Sequence, residues 1–287
     1  MKKPMTMIGP RALAQSVAGA LAALLSVSPA IAQERDYCPT RPGLGTTPCT
    51  IDQGRMSVEI GLASWTRDTQ SNQRSDQINL GDTLVRAGIN DHVELFAGWQ
   101  PYGQVRTETW LSGQTGARSI EKAKGSGDVT LGLKASLAHP DGSGFSVAVQ
   151  PFVTLPTGGN AVGAGDWGAG LVLPMSYALP NDWSLQLTPE MDAAVDGDRK
   201  GRHFAASAVV GLSHPVSDTL SATAEVQVAR DEDPAGAKTQ ALGGLSLAWM
   251  QGDAGHGAAV QWDIGTQVGL NRAAPDIAFY AGVSRRF

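Results

Sequence analysis

The 287-residue sequence predicts an all-β chain closed into a transmembrane antiparallel β-barrel of twelve strands. Three observations predict it. Apolar and polar residues alternate with a period of two in segment after segment beyond residue 54, and no helix-period segment of convincing length interrupts them. One side of these segments is almost free of Asp, Glu, Lys and Arg. The chain also ends on such a segment, in which Ile277, Phe279, Ala281, Val283 and the terminal Phe287 share one side, with Tyr280, Ser284 and Arg286 on the other.

The first 32 residues are expected to leave before folding. Lys2, Lys3 and Arg11 precede an apolar run from Val17 to Val27 and the small-residue site Ala30-Ile31-Ala32, the pattern of a secretory signal peptide. The run is shorter than the roughly 20 residues a spanning helix needs. The leader takes three of the 22 basic residues and none of the 27 acidic ones, leaving 19 against 27 and a net charge of −8. That balance excludes nucleic acid as a natural partner. Residues 33–54 read as a periplasmic segment rich in Pro and Gly, with a plug inside the barrel as the alternative. In an oxidising compartment Cys38 and Cys49 are expected to close it with a disulfide.

Residues 55–287 supply the strands. The first runs from Arg55 to Trp65 with Met56, Val58, Ile60 and Leu62 outward; Trp65 falls on the inner side unless a bulge intervenes. The second, near Ile78 to Ile89, places Arg86 inward, and Asn90-Asp91 turns into Val93, Leu95, Ala97 and Trp99. A long loop is expected over residues 103–127. Strands follow at 128–137, 145–155, 167–177, 183–191, 204–212, 220–228, 245–249, 260–270 and 277–287. Turns near residues 90, 140, 181, 215 and 254 are short and most loops between them are longer, the asymmetry of a barrel whose two ends are periplasmic.

Alternation alone also suits a soluble sandwich. The leader, the even strand count and the aromatic terminus favour the barrel, because closing on a strand with Phe287 resembles the last strand of Gram-negative outer-membrane barrels. On that reading Phe287 is the assembly signal for the barrel-assembly machinery, and the outer wall meets outer-membrane lipid. The inner wall is then expected to carry Glu59, Arg86, Glu94, Asp128, Lys134, Gln150, Glu190, Asp192, Glu225, Gln227, Gln261, Asp263 and Arg286 as pore-lining residues. Eight strands enclose a filled interior and sixteen leave an open channel, so twelve allow either a narrow passage or a filled barrel. Acids outnumber bases on this wall, which predicts a weak cation preference if the passage is open.

Signals for catalysis are poor, and no cofactor or metal is expected. Gly163-Ala-Gly-Asp-Trp-Gly168 has the spacing of a dinucleotide loop but precedes a strand, not a helix. Ser119-Ile-Glu-Lys122 lacks its partner motifs. Asp196 and Asp198 could touch a cation, although a charged loop is ordinarily just solvated. His92, His139, His214 and His256 fall in expected short turns; only His203 lies towards the outside, without the serine and asparagine of an outer-membrane lipid hydrolase.

Gly81-Asp-Thr-Leu-Val-Arg-Ala-Gly88, Gly125-Ser-Gly-Asp-Val-Thr-Leu-Gly-Leu-Lys134, Pro151-Phe-Val-Thr-Leu-Pro-Thr-Gly158 and Gln261-Trp-Asp-Ile-Gly265 occur in an order that resembles the MetA-pathway phenol-degradation family, over about residues 51–287. The resemblance implies an outer-membrane transporter passing small molecules, aromatic compounds among them. A plugged barrel serving as an anchor or surface-binding protein is the alternative. Two features depart from the pattern. The Cys38/Cys49 segment lies outside the match, and Arg285 stands where a closing strand usually has an apolar residue.

Overall fold

The computed structural model describes residues 35–111, 117–159, 162–252 and 259–287. The expected leader, the turn near residue 254 and His256 lie outside them. Fifteen strands form one antiparallel sheet: β1 (Met56–Gln70), β2 (Gln73–Asn90), β3 (Val93–Trp99), β4 (Tyr102–Trp110), β5 (Arg118–Gly125), β6 (Val129–Ala138), β7 (Phe145–Leu155), β8 (Gly168–Val172), β9 (Met175–Ala178), β10 (Ser184–Val195), β11 (Arg202–Pro215), β12 (Leu220–Asp231), β13 (Lys238–Gln251), β14 (Val260–Gly269) and β15 (Ile277–Arg286). Three pairs are halves of one wall strand each. Gln100-Pro101 separates β3 from β4, residues 126–128 separate β5 from β6, and Leu173-Pro174 separates β8 from β9. Proline has no N–H for the ladder, which explains two of these breaks. The wall therefore has twelve strands, and β1 closes it by pairing with β15 on one side and β2 on the other.

Burial is inverted relative to a water-soluble protein. The largest fully buried side chains are Arg86, Arg286, Lys134, Glu59, Glu94 and Glu108, whereas Leu95, Leu137, Phe145, Phe204, Leu245, Ile264 and Phe279 are exposed. A sandwich hides its apolar face and solvates its charges; this wall does the reverse, as a barrel in hydrocarbon must. Tyr177, Trp183, Trp249 and Trp262 ring the short-turn end, and Trp99 and Trp167 lie nearer the other, where aromatic girdles meet the membrane interfaces. Among the described residues no helix is long and apolar enough to cross a membrane. The Pro180-Asn181-Asp182 turn has positive φ at both Asn181 (58°) and Asp182 (59°), the twist that suits a tight hairpin.

The structure settles one position that the sequence leaves open and corrects one stretch. A bulge between Gly61 and Ala63 shifts the β1 register, so Trp65 pairs with Phe279 and stacks on it with centroids 6.0 Å apart, on the outer side. The expected loop over residues 103–127 is the β4–β5 hairpin, of which residues 112–116 lie outside the description. β4 continues the ladder along the far half of β2, and β5 pairs with β4 alone. With 18 residues at about 3.3 Å each, β2 is about 60 Å long, far beyond the ~25 Å apolar band, so this hairpin stands clear of the membrane. Its free edge carries Arg118, Lys122 and Lys124, charges that discourage pairing with another sheet.

Candidate functional site

Residues 35–54 lie inside the barrel, against its inner wall. They form no strand of their own, so their backbone groups need partners. The wall's carboxylates accept their N–H groups. Glu59 accepts from Thr40 and Arg41 at 3.0 Å, Glu225 from Leu44 at 2.8 Å and Gly45 at 3.0 Å, and Glu94 from Ile51 at 2.7 Å. Thr188 Oγ1 accepts from Thr46 at 3.2 Å.

The wall's donors hold the segment's carbonyls. Arg86 donates to Cys38 O at 2.9 Å and Cys49 O at 3.1 Å, while Lys134 reaches Cys49 O at 3.3 Å. Gln261 donates to Arg41 O at 2.7 Å, and Arg286 to Arg35 O at 2.5 Å. In return Arg41 grips Asp263 through Nε at 3.2 Å and Nη2 at 2.9 Å, a two-point guanidinium–carboxylate pair.

The Cys38–Cys49 disulfide closes a loop within this segment, with Cα atoms 6.2 Å apart. Packing is tight around it. A Cβ on Gly88 would lie 2.1 Å from Asp52 O, so only glycine lets the segment run this close to β2. Beneath it Arg86 pairs with Glu59 at 3.1 Å and Glu94 at 2.9 Å, and Lys134 with Glu94 at 3.4 Å. Two acids and two bases cancel, which is how buried charges are tolerated.

Eight of the expected inner-wall residues thus converge on residues 35–54: Glu59, Arg86, Glu94, Lys134, Glu225, Gln261, Asp263 and Arg286. Gln150, Gln227, Glu190 and Asp192 occupy inward positions of β7, β12 and β10, apart from those contacts. Asp128 instead accepts from Gly158 N and Ala164 N, both at 2.7 Å, and so links those two positions. Sequence reasoning missed Arg41 and Glu108. Arg41 sat in a segment without periodicity. Glu108, contacted by Arg74 at 3.1 Å, Arg118 at 3.2 Å and also by Arg106, sat in the stretch read as a loop.

The segment does not fill the interior. A cavity of about 360 Å³ lies between Thr40, Arg41 and Glu59 on one side and Asp82, Gln267 and Tyr280 on the other. A second, of about 340 Å³, is bordered by Thr47, Gln186, Ser213, Thr223 and Gln261. At ~30 Å³ per water, each has room for about ten molecules. A larger, apolar cavity of about 720 Å³ is lined by outward Trp183, Leu212, Leu245, Ile264 and Phe279, and belongs to the apolar belt, not the interior.

A closed antiparallel barrel with an apolar exterior, a charged interior and aromatic rims defines an outer-membrane β-barrel. Within that class the sequence matches the family described as "Putative MetA-pathway of phenol degradation" over residues 40–287, and the chain belongs to it. The fold is similar to that of an outer membrane channel from Pseudomonas putida, with a TM-score of 0.57 at 13% identity, covering 91% of this chain and 100% of that one. A more distant likeness is to the NanC porin, with a TM-score of 0.46 at 10% identity over 80% of this chain and 98% of that one. Among curated protein sequences none matches the chain significantly.

Proposed function

We propose that the chain is an outer-membrane channel that passes small molecules, aromatic compounds among them, along a narrow polar path beside residues 35–54. The observation that carries this reading is the pair of polar cavities left between that segment and the wall. The family's phenol connection and the channel of similar fold from Pseudomonas putida support it. On this reading residues 1–32 direct export, both ends of the mature chain are periplasmic, the Phe287 strand engages the assembly machinery, and no catalysis is involved. Residues 35–54 act as a constriction, and the charges that hold them are fasteners more than selectors. Selectivity then falls to Glu190 and Asp192, whose carboxyl groups hydrogen-bond to each other.

Planar-bilayer recording of the purified protein tests this. Wild type should give small cation-preferring steps, and deletion of residues 35–54 should enlarge them several-fold. Anion preference would remove the role of Glu190 and Asp192. Silence in both proteins would overturn the channel and leave an anchor that binds through its protruding β4–β5 hairpin.

A further inference from the structure

A second cluster lies at the opposite end of the barrel from the Cys38–Cys49 segment. His203 stands at the start of β11, Asp231 ends β12 and Asp233 follows it. Ala205 pairs with Asp231, and Glu232 N donates to Phe204 O at 3.1 Å, so His203 and Asp233 fall opposite each other on the inner side. One ligand atom from each of His203, Asp231 and Asp233 lies within 4.8 Å of the others.

The imidazole of His203 is buried and held. Its side chain is only 6% exposed, and Nδ1 lies 2.9 Å from Asp196 Oδ1. Nε2 is buried and makes no hydrogen bond, and Asp231 Oδ1 lies 2.8 Å from it. Two electron-rich atoms this close repel unless a proton lies on the line between them or a cation is shared by both. A neutral ring that donates Nδ1–H to Asp196 would present the Nε2 lone pair beside Asp231, the arrangement in which a carboxylate orients a metal-bound histidine.

The carboxylates are positioned as well. Asp233 accepts from Gly197 N at 2.8 Å and Ala235 N at 2.7 Å, and Asp231 from Asp233 N at 3.0 Å. Each oxygen retains a further acceptor site. The competing cation is Lys238, with Nζ 3.8 Å from Asp231 Oδ2. We propose that His203, Asp231 and Asp233 bind a divalent transition-metal ion of the zinc type at the inner rim, with Asp196 as the residue that positions the imidazole. A nitrogen ligand beside two carboxylates favours such an ion over calcium or magnesium, and three protein ligands leave a position for water. The site would tie β11 to the β12–β13 loop, whether or not the lumen conducts.

The test uses the folded full-length barrel in detergent, stripped with chelator and titrated with zinc by calorimetry. Wild type should bind one ion at a site that His203→Ala and Asp231→Asn abolish. Asp196→Asn should weaken it about 10–100-fold, and His92→Ala should leave it unchanged. Absence of stoichiometric binding, or binding indifferent to His203→Ala, overturns the site and leaves His203 as a charged bridge between two aspartates. Should His203→Ala fail to fold, X-ray absorption of the zinc-loaded wild type decides. One imidazole with carboxylate oxygens upholds the proposal; a water-only or multi-histidine shell overturns it.

Discussion

Glu94 shows how much a single inward residue can organise. It receives Arg86 through two bonds, at 2.9 and 3.0 Å, together with the Ile51 N–H, and it lies 3.4 Å from Lys134. Removing such an acid leaves two buried cations with one remaining carboxylate between them, and breaking a buried pair typically costs 3–5 kcal/mol. Glu94→Ala should therefore lower stability by about 3–5 kcal/mol, and Glu94→Gln by less, because the amide oxygen can still accept. Chemical unfolding of the protein in lipid vesicles measures this, and an unchanged midpoint for Glu94→Ala would show that the cluster contributes nothing. Arg285, the residue that did not suit an outward position, is accommodated differently: its guanidinium lies 4.7 Å over the Phe287 ring at the end of the strand.

Among the elements, those whose environment imposes a period were the legible ones. Hydrocarbon on one side and polar groups on the other force alternation on the strands that cross the membrane, so most of them can be read from residue types alone. The β4–β5 hairpin escapes that rule. β5 is exposed along nearly its whole length, so neither of its faces has to be apolar, and the pattern vanishes where the strand does not. The β1 bulge leaves a fainter trace: one extra residue, Leu62, keeps apolar residues on both sides of the shift, and only the inner-side parity of Trp65 points to it. Inward charges were legible as the complement of the lipid side, but their partners were not. Arg41 and Asp263 are 222 positions apart, and nothing in residues 35–54 repeats. Only the cysteine pair marked that segment. Closing a loop of 11 residues is worth on the order of 3 kcal/mol in chain entropy, and here that constraint acts on the segment more than on the barrel. Cys38→Ser with Cys49→Ser, or reduction of the wild type, should leave the barrel folded while speeding hydrogen exchange at the Ile51 amide. Unaltered exchange would mean that the wall contacts alone fix the segment.

At the scale of the molecule, the distribution of apolar surface makes the strongest claim, because it states what surrounds each part of the wall. Leu133 pairs with Leu95 in the middle of β6, and both are exposed on the outer side. Ile120 is just as exposed, at 45% against 38% for Leu133, but it sits on the protruding hairpin. In water these two leucine-like sites would respond alike to a charge. In a bilayer they cannot, since an arginine facing hydrocarbon near the midplane costs about 2–4 kcal/mol and one in water almost nothing. Leu133→Arg should thus lose about 2–4 kcal/mol in lipid vesicles, and Ile120→Arg about 0.5 kcal/mol or less, as surface changes usually do. Equal losses at the two positions would mean that the wall around β6 does not meet hydrocarbon, and the inverted burial would need another explanation.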